Sequence, residues 1–210
     1  TQSVIIDGRL LLQPQHNWDT TEKKLRGILN IKNPISRIEC YDVSNIQGKY
    51  ATGSMVVFIN GKPDKSQYKR FRIRIKQEPN DVAMIKEVLT RRFSHVEWNY
   101  PEVILIDGGR AQLNVAVLSI KYKVLSKKIK VISIAKGKQE LFIENPPSPP
   151  PSLKATDGQG KATEGQRNQP IPLKNLPQEI YNLIKYLDDE AHRFAIAYHK
   201  RIRKRAIGVG

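Results

Sequence analysis

The sequence predicts an α/β domain with a mixed sheet and helices on its faces, and three observations predict it. Three successive segments rich in β-branched and aromatic residues are joined by short links. The apolar period then changes from two to about 3.6, and helical stretches alternate with short, wholly apolar runs. A long amphipathic stretch follows near the end.

The opening residues carry weak signals: a strand-like VII, a polar turn QPQHNWD, and a short helix with Thr20 or Thr21 near its start and Leu25, Ile28 and Leu29 on one side. Residues 1–35 are expected to flank a domain spanning 36–207. The pattern sharpens at RIECYDV, ATGSMVVFI and YKRFRIRI, with Gly48 punctuating the first gap and NGKP the second; this is the layout of an antiparallel meander. A helix is expected from Asn80 or Asp81, carrying Val82, Ile85, Val88 or Leu89, and Phe93 on one side. The buried-type strand VILID ends at Gly108 and Gly109, and a helix (AQLNVAVLSIKYKVL) and a second such strand (KVISIA) follow. From about 146 to 172 the composition falls to Pro, Ser, Gly, Gln, Lys and Thr. That segment buries too little apolar area to offset its ordering entropy and is read as a disordered insertion. In the last helix Ile180, Leu183, Leu187, Ala191, Phe194, Tyr198 and Ile202 recur in steps of three and four, with His192 and His199 one residue off the stripe.

A chain of 210 residues holds one domain with a substantial core. Its apolar runs are strand-sized, well short of the roughly 20 residues of a membrane span, and no signal-peptide pattern opens it. The single cysteine, Cys40, excludes an internal disulfide and a multi-cysteine zinc site; it fits a reducing cytoplasm, and its flanks place it in a strand core. A net charge of +16 points to a polyanion, nucleic acid before membrane, with an inert basic surface as the bland alternative.

Asp42 and Asp107 each close a strand. Ligands in open sheets bind at such carboxyl ends. On neighbouring strands the two carboxylates would repel unless a cation lay between them, and hard oxygen ligands suit Mg²⁺ or Mn²⁺. Each acid alone reads equally well as a turn residue. Asp81 stands at a helix start, where capping alone would explain it. His192 by itself is more often a hydrogen-bonded structural histidine. The tail with Lys200, Arg201, Arg203, Lys204 and Arg205 is a solvated helix end or, as the net charge favours, a phosphate contact surface.

Six blocks in order, RIECYDVSNIQG, SMVVFINGKP, YKRFRI, NDVAMIKEVLTRRF, VILIDGGRAQLNVA and DDEAHRFAIAYHKR, resemble the C-terminal endonuclease domain of UvrC, the incision subunit of bacterial excinuclease ABC. The resemblance implies a ribonuclease H-like fold with a five-stranded mixed sheet. It implies that Asp42 and Asp107 are the catalytic aspartates of the first and fourth strands, that His192 replaces a usual acid, and that Asp81 is a further acid near the first helix. Asp42, Asp107 and His192 would hold Mg²⁺ or Mn²⁺ for phosphodiester hydrolysis. The implied substrate is damaged duplex DNA, incised 5′ to the lesion with UvrA and UvrB as partners, with no membrane and no small-molecule substrate. Family members also carry a GIY-YIG nuclease domain, a UvrB-binding segment and a helix-hairpin-helix pair, so this chain is expected to be a fragment or a shortened relative. They commonly have arginine where this chain has Asp188. Two alternatives remain: a catalytically silent DNA-binding module, and a related nuclease acting on RNA.

Overall fold

The computed structural model describes residues 4–6, 9–11, 18–44, 51–75, 80–121, 129–144 and 169–206, with 4–6, 9–11 and 199–206 described by their backbone alone. In chain order the elements are β1 (Val4–Ile6), β2 (Arg9–Leu11), α1 (Trp18–Leu29), β3 (Arg37–Ser44), β4 (Thr52–Ile59), β5 (Lys62–Pro63) and β6 (Lys69–Arg72). There follow α2 (Asp81–Arg92), β7 (Val103–Asp107), α3 (Arg110–Lys121), β8 (Lys130–Ala135), β9 (Glu140–Ile143), β10 (Ile171–Pro172) and α4 (Gln178–Ala206). β1 and β2 pair with each other. The other strands form one sheet of order β10-β9-β8-β7-β3-β4-β5, with β6 also paired to β4.

The five expected strands are β3, β4, β6, β7 and β8. β3–β7 and β7–β8 are parallel and the remaining pairs antiparallel, so the sheet is mixed. Short strands widen it. Asn60 and Gly61, with φ of 49° and 75°, make the tight turn that folds β5 back on β4; positive φ at both central residues matches the right-handed twist of the flanking strands. At the other edge Ile171 and Pro172, expected inside the disordered insertion, pair with Leu141 and Glu140 of β9. Residues 146–168 of that insertion, Gly48 and the last residues of the expected third helix lie outside the described residues.

Two layers of helix cover the sheet. Gly53 of β4 shows why α2 sits close on one face: a Cβ there would meet Val88 Cγ2 at 2.5 Å. On that face Arg92 of α2 reaches Glu39. The opposite face, carrying Ile38, Cys40 and Asp42, packs against α4, with Phe58 edge-on to Tyr186 at 5.1 Å. Covered on both sides, β3, β4 and β7 are buried almost throughout, which is why they read as continuous apolar runs. Leu25 and Leu29 of α1 are buried in this core. α2 starts as expected: the Asn80 side chain accepts the Ala83 N–H at 2.8 Å, the usual N-cap bond.

Candidate active site

Two parallel strands bring the acids together. Tyr41 pairs with Ile106 across β3 and β7, so Asp42 and Asp107 follow as the next pair and face α4. Asp42 was expected to close its strand; it lies two residues inside it, because β3 runs on to Ser44, and it pairs with Ser54 of β4. Its backbone is thus committed to the ladder and not to a turn. Asp107 does end its strand. The following Gly108, at φ 150°, turns so tightly that a Cβ would lie 2.7 Å from Gln112 Cγ, and the Gln112 side chain accepts the Gly109 N–H at 3.0 Å. A residue with a Cβ could not make this exit and still let α3 begin at Arg110.

Asp42 is buried, 5% exposed. Burial raises its pKa above the ordinary 3.8 and the Asp107 carboxylate adds to the rise, against opposing effects from His192 and Lys136. His192 Nδ1 stands 3.4 Å from Asp42 Oδ2, a long contact, and the imidazole is mostly exposed towards the cleft. Asp107 Oδ2 meets Lys136 Nζ at 2.9 Å, and the same ammonium reaches Asp188 Oδ1 at 3.1 Å. Burial works against the charge on Lys136, but its bonds to Asp107 and Asp188 outweigh that and raise its pKa. Asp188 is itself buried; burial first, and then Asp107 and Asp189, push its pKa up, while Lys136 pulls it down. The combined negative field reaches Cys40 beneath the site, whose thiol is pushed up by burial and then by Asp188, Asp42 and Asp107.

The structure therefore groups Asp42, Asp107 and His192. It does not add Asp81, which is exposed in the first turn of α2; no hydrogen bond or ion pair among the described residues joins it to the other three. Lys200, Arg201, Arg203, Lys204 and Arg205 continue α4 beyond His192, with side chains outside the described residues. Lys136 and Asp188 are functional candidates that the sequence reading passed over. Both carried a signal. Lys136 follows β8 at the carboxyl edge that holds Asp107, and Asp188 precedes His192 by four residues, one helical turn on the same face.

The two carboxylates are of the kind that hold a hard divalent cation, and the His192 imidazole lies at the same sheet edge. Among the described residues no three His, Cys, Asp or Glu side chains stand within joint reach of one ion. Asp42 and His192 are together, while Asp107 is turned to the Lys136 ammonium. No helix of the described residues is long and apolar enough to cross a membrane.

Residues 26–196 match the family described as UvrC RNAse H endonuclease domain. The chain is 36% identical over 195 residues to UvrABC system protein C of Bdellovibrio bacteriovorus, covering 88% of this chain and 29% of that protein. It is 39% identical over 184 residues to the protein of the same name from Geobacter sp., covering 85% and 26%. It thus spans under a third of the length of the curated relatives it matches. Among solved structures, endonuclease V of Ciona intestinalis, in complex with a 24mer DNA containing an inosine followed by a ribo-adenosine, is 17% identical over 57% of this chain and 56% of that chain, with a TM-score of 0.39. With the matched region running from α1 to the helix that bears His192, the chain belongs to the UvrC ribonuclease H endonuclease domain family.

Proposed function

We propose that this domain is a divalent-metal-dependent DNA endonuclease that makes the incision 5′ to a lesion in nucleotide excision repair, acting with UvrA and UvrB on damaged duplex DNA. The observation that carries the reading is the row Asp42–Asp107, two acids on adjacent parallel strands beneath the His192 imidazole. Asp42, Asp107 and His192 would hold Mg²⁺ or Mn²⁺. The bound ion would polarise the scissile phosphate and lower the pKa of a water. His192, exposed and with Nδ1 3.4 Å from Asp42 Oδ2, would either ligate the ion or orient that water through its other nitrogen. Lys136 bonds both Asp107 and Asp188, and its ammonium would turn to the scissile phosphate once a cation took its place beside Asp107. Asp81 is kept as a further acid whose part in the reaction follows from the family resemblance alone.

Calorimetric titration of Mn²⁺ into the wild type and Asp107→Asn, paired with nicking of damaged duplex in the presence of the partner proteins, tests the reading. Saturable binding and nicking are expected in the wild type, both lost in the variant. A fully active Asp107→Asn chain would refute it.

A further inference from the structure

The catalytic row of the sheet does not stop at Asp42. Asp42 pairs with Ser54 of β4, and Ser54 pairs in turn with Arg70 of β6. Directly paired residues project to the same face, so Arg70 lies on the α4 face with the two acids. It is two strand spacings, roughly 10 Å, from Asp42.

There α4 supplies a shelf. The guanidinium carbon of Arg70 lies 4.0 Å from the ring centroid of Phe194 and 5.0 Å from that of Tyr198. Phe194 is itself braced edge-on by Tyr68 at 5.0 Å, and it stands two residues from His192 on the same helix. Arg193, the neighbouring cation, is differently employed: it donates twice to Glu190 at 2.6 Å, and Glu190 also accepts from the Tyr68 hydroxyl at 2.9 Å. Arg72, exposed, shares the same face of β6 opposite Thr52. β6 therefore presents two guanidinium groups along a strand that, among the described residues, pairs with β4 alone, in line with the acids.

We infer that Arg70 grips a backbone phosphate of the bound strand within a few nucleotides of the scissile one, and that Phe194 and Tyr198 aim it. The inference rests on the nuclease reading above and adds a positioning residue to it. A guanidinium held over ring faces keeps its N–H fork in a fixed direction, suited to two parallel bonds to phosphate oxygens; an ammonium has neither the plane nor the fork. Because the shelf and His192 share α4, the grip and the cleft move as one body, as in-line attack on a phosphate requires.

The test measures duplex affinity of the full chain by fluorescence anisotropy against salt in EDTA, and nicking with the partner proteins in Mn²⁺. Arg70→Ala is expected to weaken binding about tenfold at low salt and to flatten the log–log salt slope by about 0.9, one phosphate contact. Arg70→Lys is expected to keep the wild-type slope but to nick about tenfold more slowly, since the charge remains while its direction is lost. Wild-type slope and affinity in Arg70→Ala would overturn the phosphate contact, and wild-type nicking in Arg70→Lys would overturn the aiming by the rings. Should Arg70→Ala fail to melt cooperatively, Arg70→Gln, which keeps the stem over the rings, serves in its place. A wild type that does not nick in Mn²⁺ with the partner proteins present would sink the nuclease reading itself, a result separable from either outcome above.

Discussion

Glu39 and Asp42 lie three residues apart on β3 and point to opposite faces, and their surroundings could hardly differ more. Glu39 is wholly buried. Its carboxylate accepts from Arg37 at 2.9 and 3.0 Å, from Arg92 at 2.9 and 3.1 Å, and from the Tyr41 hydroxyl at 2.6 Å. Arg92 donates onward to the Asn99 carbonyl at 2.6 Å and lies over Phe93, Trp98 and Tyr100, with one guanidinium nitrogen left without a hydrogen-bond partner among the described residues. Asp42, also buried, has one long contact to His192 and a like charge beside it. A buried carboxylate given cations and a hydroxyl holds the fold together. One set beside another carboxylate carries its charge against burial and repulsion, and the fold bears the cost.

The widest separation between the two should come from crossing them. Asp42→Asn is expected to lower nicking by about a thousandfold or more while leaving the urea midpoint unchanged or higher. Glu39→Ala, which strands two buried guanidinium groups, should lose about 3–5 kcal/mol of stability in the same denaturation series. If Asp42→Asn unfolded the domain, or if Glu39→Ala cost nothing, the division between a structural and a functional acid on this strand would collapse.

A smaller effect should sharpen the account of the cleft. Lys136 is partly exposed and bonds Asp107, so under the proposed metal site it would compete with an incoming cation. Lys136→Met should bind Mn²⁺ up to about fivefold more tightly, on the scale of about 1 kcal/mol for an ion pair open to solvent. Weaker Mn²⁺ binding in that variant would show that Lys136 organises the acids and does not compete for them.

The smallest effect is in pH. Asp42 and Asp188 both have folded pKa values raised above the ordinary 3.8. A carboxyl so shifted holds its proton more tightly in the folded chain, so its contribution to stability is fully present below 3.8 and is lost as pH rises through the raised folded value. Metal-free protein should lose stability across that window, and Asp42→Asn should remove part of the slope in melts taken at successive pH values. An unchanged slope would mean that the acids relax into water and do not repel.

Much of this is legible in the chain itself. β7 and β8 occupy the predicted residues, and α2 starts at Asp81 behind Asn80, because apolar period and capping chemistry act over a few residues and leave their mark there. Asp42, Asp107 and His192 are legible there as a strand-end acid, an acid before two glycines and a histidine beside a core stripe, and it is the family resemblance that marks them as site residues. What could not be read is which of these meet. Glu39 looks no different from Asp42 in ECYD, and its role as an anchor depends on Arg92, 53 residues away. Lys136 and Asp188 gained significance when β8 and α4 were brought to one edge, and Arg70 when β6 was paired to β4 in register with Asp42. Local sequence determined the elements and the kinds of chemistry they could carry; the tertiary structure decided which charges are matched and which face each other unmatched, because Coulomb energy depends on distance in space and not on separation along the chain.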